Sequence, residues 1–337
     1  MRRLGRWLLI GVISVAVLLA IAITFTIGWT PFLGPRTRAL TNRTFEPTPR
    51  RLERGRYIAT AQTGCLYCHT LHDWAAPGTP MVAGMEGGGE VLPYADLPGR
   101  IVAPNLTPDP ETGAGRWTDD QLARAIREGV SHDGRALFPI MPYMHYHNMS
   151  DEDLASVVVY LRSLPPVHNP LPATQIIFPV KYLIRTAPQP VTAPVPDVSS
   201  ADQLKYGTHL ADQAGCIDCH TPQVRGENVP GMDFAGGFSF TGPWGNVASA
   251  NITPDPSGIP YYDEALFLNV MRTGQVRARK LSPIMPVMVY QNLTDEDLKA
   301  IFAFLRTTKA VKHRVDNSEP VAECKLCNQK HGAGNEN

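Results

Sequence analysis

The chain has 337 residues, with 31 basic and 31 acidic side chains and a formal net charge of zero. That length accommodates two domains, each with a core of its own. The even balance, without a basic stripe or an acidic block, excludes nucleic acid as a partner and excludes a polyelectrolyte tail.

The first element is an apolar run over residues 7–29, preceded by Arg2, Arg3 and Arg6 and interrupted by no charge. About 20 apolar residues cross the hydrocarbon core of a bilayer, and basic residues before the run suit a cytoplasmic N-terminus. A cleaved signal peptide has a shorter apolar region, of about 7–15 residues, and a small-x-small site. Ala20 and Ala22 offer a weak site of that kind, but the run continues past them. The expectation is a cytoplasmic stub and an anchor over residues 1–30, with a cleaved signal segment as the alternative. Arg36, Arg38 and Arg43 follow the run, so charge asymmetry alone does not fix its orientation.

Thr48-Pro49 is an N-cap and first-turn pair. It predicts a helix through Leu52, Tyr57 and Ile58 that ends near Gly64. Cys65, Cys68 and His69 follow as C-x-x-C-H, the covalent haem-attachment motif. Each thiol can form a thioether with one vinyl group of the porphyrin, and the adjoining histidine then serves the iron as proximal ligand. A disulfide or half of a zinc site is the alternative, and the recurrence of the motif at an equivalent place in a duplicated domain speaks against it. The glycine-rich run GMEGGGE (84–90) follows no strand-like segment and reads as a loop. A second helix is predicted from Thr118, with Gln121 completing a capping box and Leu122, Ile126 and Val130 as its apolar stripe. A third starts at Ser150 and carries Leu154, Val157, Val158 and Leu161 at helical spacing.

Residues 165–200 contain nine prolines among 36 residues, a density that favours extended, semi-rigid chain. They read as an interdomain connection. Its apolar island, residues 176–184, is too short and too charged to span a membrane and is expected to pack on a domain surface.

Beyond the linker the first half recurs. CLYCHT (65–70) returns as CIDCHT (216–221), APNLTPDP (103–110) as SANITPDP (249–256), and PIMPYMHYHNMSDEDL (139–154) as PIMPVMVYQNLTDEDL (283–298). The offsets drift from 151 through 146 to 144 residues, as expected of a duplicated domain with altered loops. The second copy places Cys216, Cys219 and His220 at its own attachment motif. Its helices are expected from about Ser200 to Gln213 and from Thr294 through Leu298, Ile301, Phe302 and Leu305. Little of the chain alternates as a strand does. The predicted fold is mainly α, with domains at 48–166 and 201–312, a linker at 167–200 and a tail at 313–337. The cofactors are two covalently bound haem c.

The sixth iron ligand is methionine or histidine in most such sites. In the first copy Met141, Met144, His132, His145 and His147 are candidates. The corresponding stretch of the second copy has Met285 and Met288 and no histidine, so equivalent sites require methionine. A methionine in an apolar loop is also a common packing residue. Met141 and Met285 are favoured, because the proline after each stiffens an extended loop before the last helix. Met144 and Met288 are the alternatives.

In the tail, Cys324, Cys327 and His331 form C-x2-C-x3-H, with Asn328 where an attachment histidine would stand. A third haem is not expected. A short-loop disulfide is the favoured reading, and a metal site would need at least one more ligand from elsewhere.

The chain resembles class I, mainly helical cytochrome c domains in tandem, over roughly residues 50–166 and 203–312. Residues 104–166 are especially similar to the multihaem cytochrome subunits of membrane-bound alcohol, gluconate and related dehydrogenases. The resemblance implies Met141 and Met285 as distal ligands. It also implies that Tyr57 or Tyr160, and Phe304, belong to the contact between first and last helices. The Asn-x-Thr-Pro-Asp runs are then loop structure beside the haem. Such subunits usually carry three haem domains, whereas this chain has two. Haem attachment in these families takes place outside the cytoplasmic membrane. The implied location is therefore the membrane, single-pass, with the haem domains on the periplasmic side. The implied partners are a donor dehydrogenase or quinol-oxidising complex and an acceptor cytochrome or oxidase. With both axial positions filled, an electron carrier is expected and not an enzyme. The alternative is a di-haem peroxidase or sulfur-compound oxidase with one open or labile position.

Overall fold

The computed structural model describes residues 2–76, 79–94, 96–224, 226–242, 245–318 and 320–332. The end of the tail, 333–337, lies outside them. Helices dominate, and the described strands form only two-stranded pairs. α1 (Arg2–Phe25) is the expected apolar helix. It is long and apolar enough to cross a membrane, and none of that stretch is buried against the rest of the chain. Gly28, at φ +69°, turns the chain out of it into the short α2 (Thr30–Leu33).

Each repeat is framed by its first and last helices. In the first repeat these are α3 (Pro49–Tyr57) and α7 (Asp151–Ser163); between them lie α4 (Cys65–Cys68), α5 (Asp119–Glu128) and α6 (Tyr143–Tyr146). The caps act as the side chains dictate. Thr48 accepts from the Arg51 amide, Ser150 from Asp153, and Thr118 with Gln121 closes both arms of the capping box. After the linker and its short α8 (Val180–Leu183), the second repeat runs through α9 (Gln203–Gln213), α10 (Cys216–His220), α11 (Glu264–Thr273), α12 (Val287–Tyr290) and α13 (Asp295–Thr307). Asp202, not Ser200, caps α9. Asp263 caps α11, whose Phe267 and Met271 enter the second core.

The framing helices cross at a glycine in both copies. A Cβ on Gly55 would lie 1.9 Å from the Ser156 carbonyl oxygen, and one on Gly207 would lie 1.9 Å from that of Ala300. Only a residue without a side chain lets two backbones meet this closely. Gly55 precedes Cys65 by ten residues and Gly207 precedes Cys216 by nine. The extra residue is taken up by a π turn, Ile58–Gln62, that continues α3. One inserted residue in a helix is what such a turn absorbs. Ile58, Leu122, Leu154, Val158 and Leu161 form the first core; Leu210, Phe267, Leu298, Ile301 and Leu305 form the second.

The segment after α2 is strapped to the first repeat. Arg38 and Arg43 both reach the buried Asp120 carboxylate, at 2.7 and 2.6 Å, and Arg38 also reaches Glu128 at 2.7 Å. Despite the opposing effect of burial, these guanidinium groups hold Asp120 far below the usual carboxylate range. Removing one partner from a buried ion pair costs about 3–5 kcal/mol, so this strap is a firm link between α1 and the first repeat.

The linker island departs from expectation. Residues Gln175–Ile176 pair with Gly99–Arg100, but Ile177, Phe178 and Leu183 remain exposed. α8 packs beside α2, and Arg185 donates to the Pro31 carbonyl at 2.9 Å. The island therefore lies against the end of the membrane-length helix, with its apolar side chains outward. Phe32 and Leu33 in the same patch are also exposed.

The two repeats meet through reciprocal surfaces. α6 of the first packs on α9 of the second, and α12 of the second packs on the π turn of the first. Ala61 from the first repeat is part of the second core. Tyr57, which the resemblance offered for the contact between α3 and α7, also reaches across this interface: it donates to Asp297 and accepts from the Thr294 amide. Tyr160 and Phe304 do pack within their own repeats.

Candidate functional site

Each attachment motif begins at a left-handed glycine, Gly64 at φ +62° and Gly215 at φ +65°. That conformation is open to glycine without strain, and it turns the chain from the first helix into a single helical turn. Within that turn the two cysteines sit at i and i+3 and so share a face. The following carbonyl is also held: Gly89 donates to the His69 oxygen at 2.8 Å and Gly236 to that of His220 at 2.7 Å. The glycine-rich run 84–90 is thus a loop with a purpose, because a side chain on Gly89 would strike the Ala103 oxygen at 2.6 Å.

The histidine rings are oriented identically. His69 Nδ1 lies 2.7 Å from the Pro104 oxygen, and His220 Nδ1 lies 2.7 Å from the Ala250 oxygen. A carbonyl can only accept, so Nδ1 carries the proton and Nε2 is left as the lone-pair donor. This is the usual way a protein fixes the tautomer of a metal-binding imidazole. Burial holds both rings below the ordinary histidine range, which keeps them neutral at physiological pH. The accepting carbonyls are positioned by the Asn-x-Thr-Pro-Asp loops. Asn105 Oδ1 accepts from both the amide and the hydroxyl of Thr107, and Asn251 Oδ1 does the same for Thr253. Cys65 and Cys216 are partly buried, and Cys68 and Cys219 are exposed.

The methionine loops are duplicated as closely. The Tyr143 amide donates to the Met141 oxygen at 2.8 Å, and the Val287 amide to that of Met285 at 2.7 Å. Met141 and Met285 are partly buried against the core of their own repeat, while Met144 is 51% exposed. Arg127 reaches the Met149 oxygen and the Asp151 carboxylate, and Arg272 makes the matching bonds to Leu293 and Asp295. The tyrosine near the end of each loop donates back to the chain just before the attachment motif, Tyr146 to Thr63 and Tyr290 to Ala214. Each loop is therefore held between the middle helix and the motif it faces.

Two other candidate ligands of the first repeat, His132 and His145, are occupied elsewhere. His132 lies against Trp117, with ring centroids 4.3 Å apart. His145 is clamped between two carboxylates of the second repeat, Asp212 at 2.6 Å and Asp218 at 2.9 Å. Its own carbonyl accepts from Gln213 at 2.6 Å. Hydrogen bonds that its ring donates to these aspartates raise His145 to about 10. The charged imidazolium therefore stabilises the interface fully below its unfolded value near 6.5, and that stabilisation is lost as pH rises towards about 10. His145→Ala is expected to lower stability by about 1.5–3 kcal/mol near neutrality. The deficit should shrink as pH rises from about 6.5 and vanish above about pH 10, read from guanidinium midpoints of the two proteins side by side.

The two motifs lie near one another. Burial, and then the thiols of Cys216, Cys219 and Cys68, push the Tyr290 hydroxyl far above its usual range. Burial, then Cys65, Cys68 and Tyr290, does the same to Tyr146. Cys68 also acts on Cys219. Tyr290 thus lies close to cysteines of both motifs, and Tyr146 to those of the first, where the repeats meet. The surroundings differ in one respect. Beside the first motif a buried Glu90 accepts from the His72 ring at 2.8 Å, from the His72 amide and from Trp74. At the matching place in the second repeat stands Gly237.

Sequence comparison agrees with this duplicated geometry. The cytochrome c family model matches residues 52–165 and 204–309. A nicotinate dehydrogenase subunit of Pseudomonas putida is 33% identical over 75% of this chain and 21% of its own length. The cytochrome c subunit of a quinone-dependent alcohol dehydrogenase from Gluconobacter oxydans is 27% identical over 84% of this chain and 60% of its own. A diheme cytochrome c-type protein of Cereibacter sphaeroides is 29% identical over 74% of this chain and 83% of its own. The chain thus spans less than two thirds of the length of the first two of these relatives.

Proposed function

The chain belongs to the cytochrome c family, and from that premise we propose that it is a membrane-anchored di-haem electron carrier. It takes electrons from a dehydrogenase or quinol-linked donor and passes them to an oxidase or another cytochrome. The relatives are cytochrome subunits of dehydrogenases and a di-haem cytochrome, which supports the class of donor. Two haem c groups, when bound, supply one-electron chemistry. In this reading Cys65, Cys68, Cys216 and Cys219 form the thioethers, and His69 and His220 offer Nε2 to the irons. Met141 and Met285 would offer their sulfurs to the same irons, and no protein residue has to move a proton.

The observation that carries the reading is the pairing of two equivalent motifs across one interface, each with its histidine already in the metal-binding tautomer. Closed axial positions favour transfer over substrate binding, and methionine raises the potential relative to a second histidine. The anchor is supported by the exposed apolar patch of Phe32, Leu33, Ile177 and Phe178 at the end of α1. That patch suits a membrane surface, with the haem domains on the extracytoplasmic side. A pyridine haemochrome assay on the full chain is expected to return two c-type haems. One or none would reject the reading.

A further inference from the structure

The tail carries a feature that electron transfer does not use. His313, Cys324, Cys327 and His331 converge so that one ligand atom from each lies within 4.8 Å of all the others. His331 and the two cysteines are visible in the sequence as C-x2-C-x3-H; His313, eleven residues before Cys324, supplies the missing fourth donor. We propose that these four residues bind one zinc ion in a closed, tetrahedral Cys2His2 site that fastens the tail to the second repeat.

The donor set fits zinc. Two thiolates and two imidazoles with no carboxylate match a structural zinc centre, and a complete set of four leaves no open position for catalysis. With metal–sulfur and metal–nitrogen bonds of about 2.3 and 2.0–2.1 Å, the edges of such a tetrahedron are about 3.4–3.8 Å. One edge is already that short: His313 Nε2 lies 3.3 Å from Cys324 Sγ.

The surroundings are prepared in the same sense. His313 Nδ1 donates to the Ala235 oxygen at 2.9 Å, which directs Nε2 at the sulfurs, as an outer hydrogen bond does in metal sites. His313 and Cys327 are fully buried, and Met232, Ala235 and Val311 pack in one apolar cluster with Cys324 and Cys327. A side chain on Gly237 would meet the His313 ring at 2.6 Å, so the glycine makes room for the imidazole. Cys324 and Cys327 sit in the turn of a small hairpin that pairs Ala322 with His331 and Glu323 with Lys330. Asn328 in the left-handed region, at φ +55°, closes that turn.

The site has a mechanical consequence. The hairpin is tied to the second repeat by Ser239 on the Lys330 oxygen and Gln329 on the Gln223 oxygen, both at 2.6 Å. Ala235, which holds His313, adjoins Gly236, which holds the carbonyl of His220. Zinc would thus stiffen the loop behind the second attachment motif. Binding displaces the two thiol protons and needs no oxidant.

The test is metal analysis of the untagged, haem-loaded full chain produced with zinc in the medium. About one zinc per chain is expected, with a zinc-edge absorption spectrum fitted by two sulfurs and two nitrogens. His313→Ala should lose at least about tenfold in zinc affinity. His313→Cys should retain the ion with three sulfurs and one nitrogen, which separates ligand loss from misfolding of the tail. If peptide mapping finds a Cys324–Cys327 disulfide, the chain is reduced anaerobically and titrated, and stoichiometric zinc uptake then supports the site. Failure to bind zinc both as isolated and after reduction overturns the proposal, as does a zinc edge without sulfur.

Discussion

Gly207→Ala is expected to destabilise the second repeat by about 3 kcal/mol or more, and Gly55→Ala to do the same to the first. The added methyl would sit 1.9 Å from a backbone oxygen, whereas ordinary contact begins at 3.4 Å. The obstacle is main chain on a rigid helix, so no rotamer change relieves it. The helices would have to part by roughly 1.5 Å, and a close-packed interior transmits such a shift to the residues around it. Leu210 and Leu298, or Ile58 and Leu154, are the neighbours that would lose contact. Gly11→Ala is the control, because nothing lies within 4 Å of that position. Guanidinium unfolding, followed by far-ultraviolet circular dichroism, reads the difference. An effect below about 1 kcal/mol at both crossings would mean that the helices are not held as close as described.

The second large effect is expected at the iron ligands. Met141→Ala and Met285→Ala should each convert one haem from closed to open coordination. The ferric protein should lose, in each variant, that haem's share of the weak far-red band of an iron–methionine bond. The double variant should lose all of it. The open iron should then bind carbon monoxide when reduced, which the parent protein should not. Met144→Ala should change none of this, since that side chain is 51% exposed. Retention of the full band in either principal variant would move the ligand to Met144 or Met288.

Much of the framework is legible in the sequence because capping chemistry is local. Thr48-Pro49, Thr118 with Gln121, and Ser150 each act on amides within three residues, and the helices begin where those side chains require. The duplicated motifs are legible for a different reason: adjacent cysteines and histidine place their chemistry within one helical turn. α11 obeys the same capping rule: its cap, Asp263, accepts from the Leu266 amide, and Phe267, Val270 and Met271 follow at helical spacing. The π turn can be read only by comparing the two copies, where one residue separates the distances from glycine to cysteine.

What escapes the sequence is long-range. His145 has the look of a rival ligand, and its partners, Asp212 and Asp218, lie 67 and 73 residues away. Tyr57 has the look of a helix-packing residue, yet its hydroxyl meets Asp297 across the interface. His313 carries no spacing that connects it to the cysteines of the tail. The apolar linker island calls for a domain surface but lies beside α2, just past α1, where an exposed face has a use. In each case the residue type is informative and the partner is not, because pairing between distant segments depends on how the two repeats are docked.

Docking is also what the functional account depends on. Two attachment motifs on opposite sides of one interface should exchange an electron within a single molecule. Flash photoreduction of the fully oxidised, haem-loaded chain by less than one electron per molecule tests this directly. The relay predicts a redistribution between the two haems whose rate does not change with protein concentration. A redistribution that slows in proportion as the protein is diluted would show that electrons move only between molecules, and would contradict the two-haem relay.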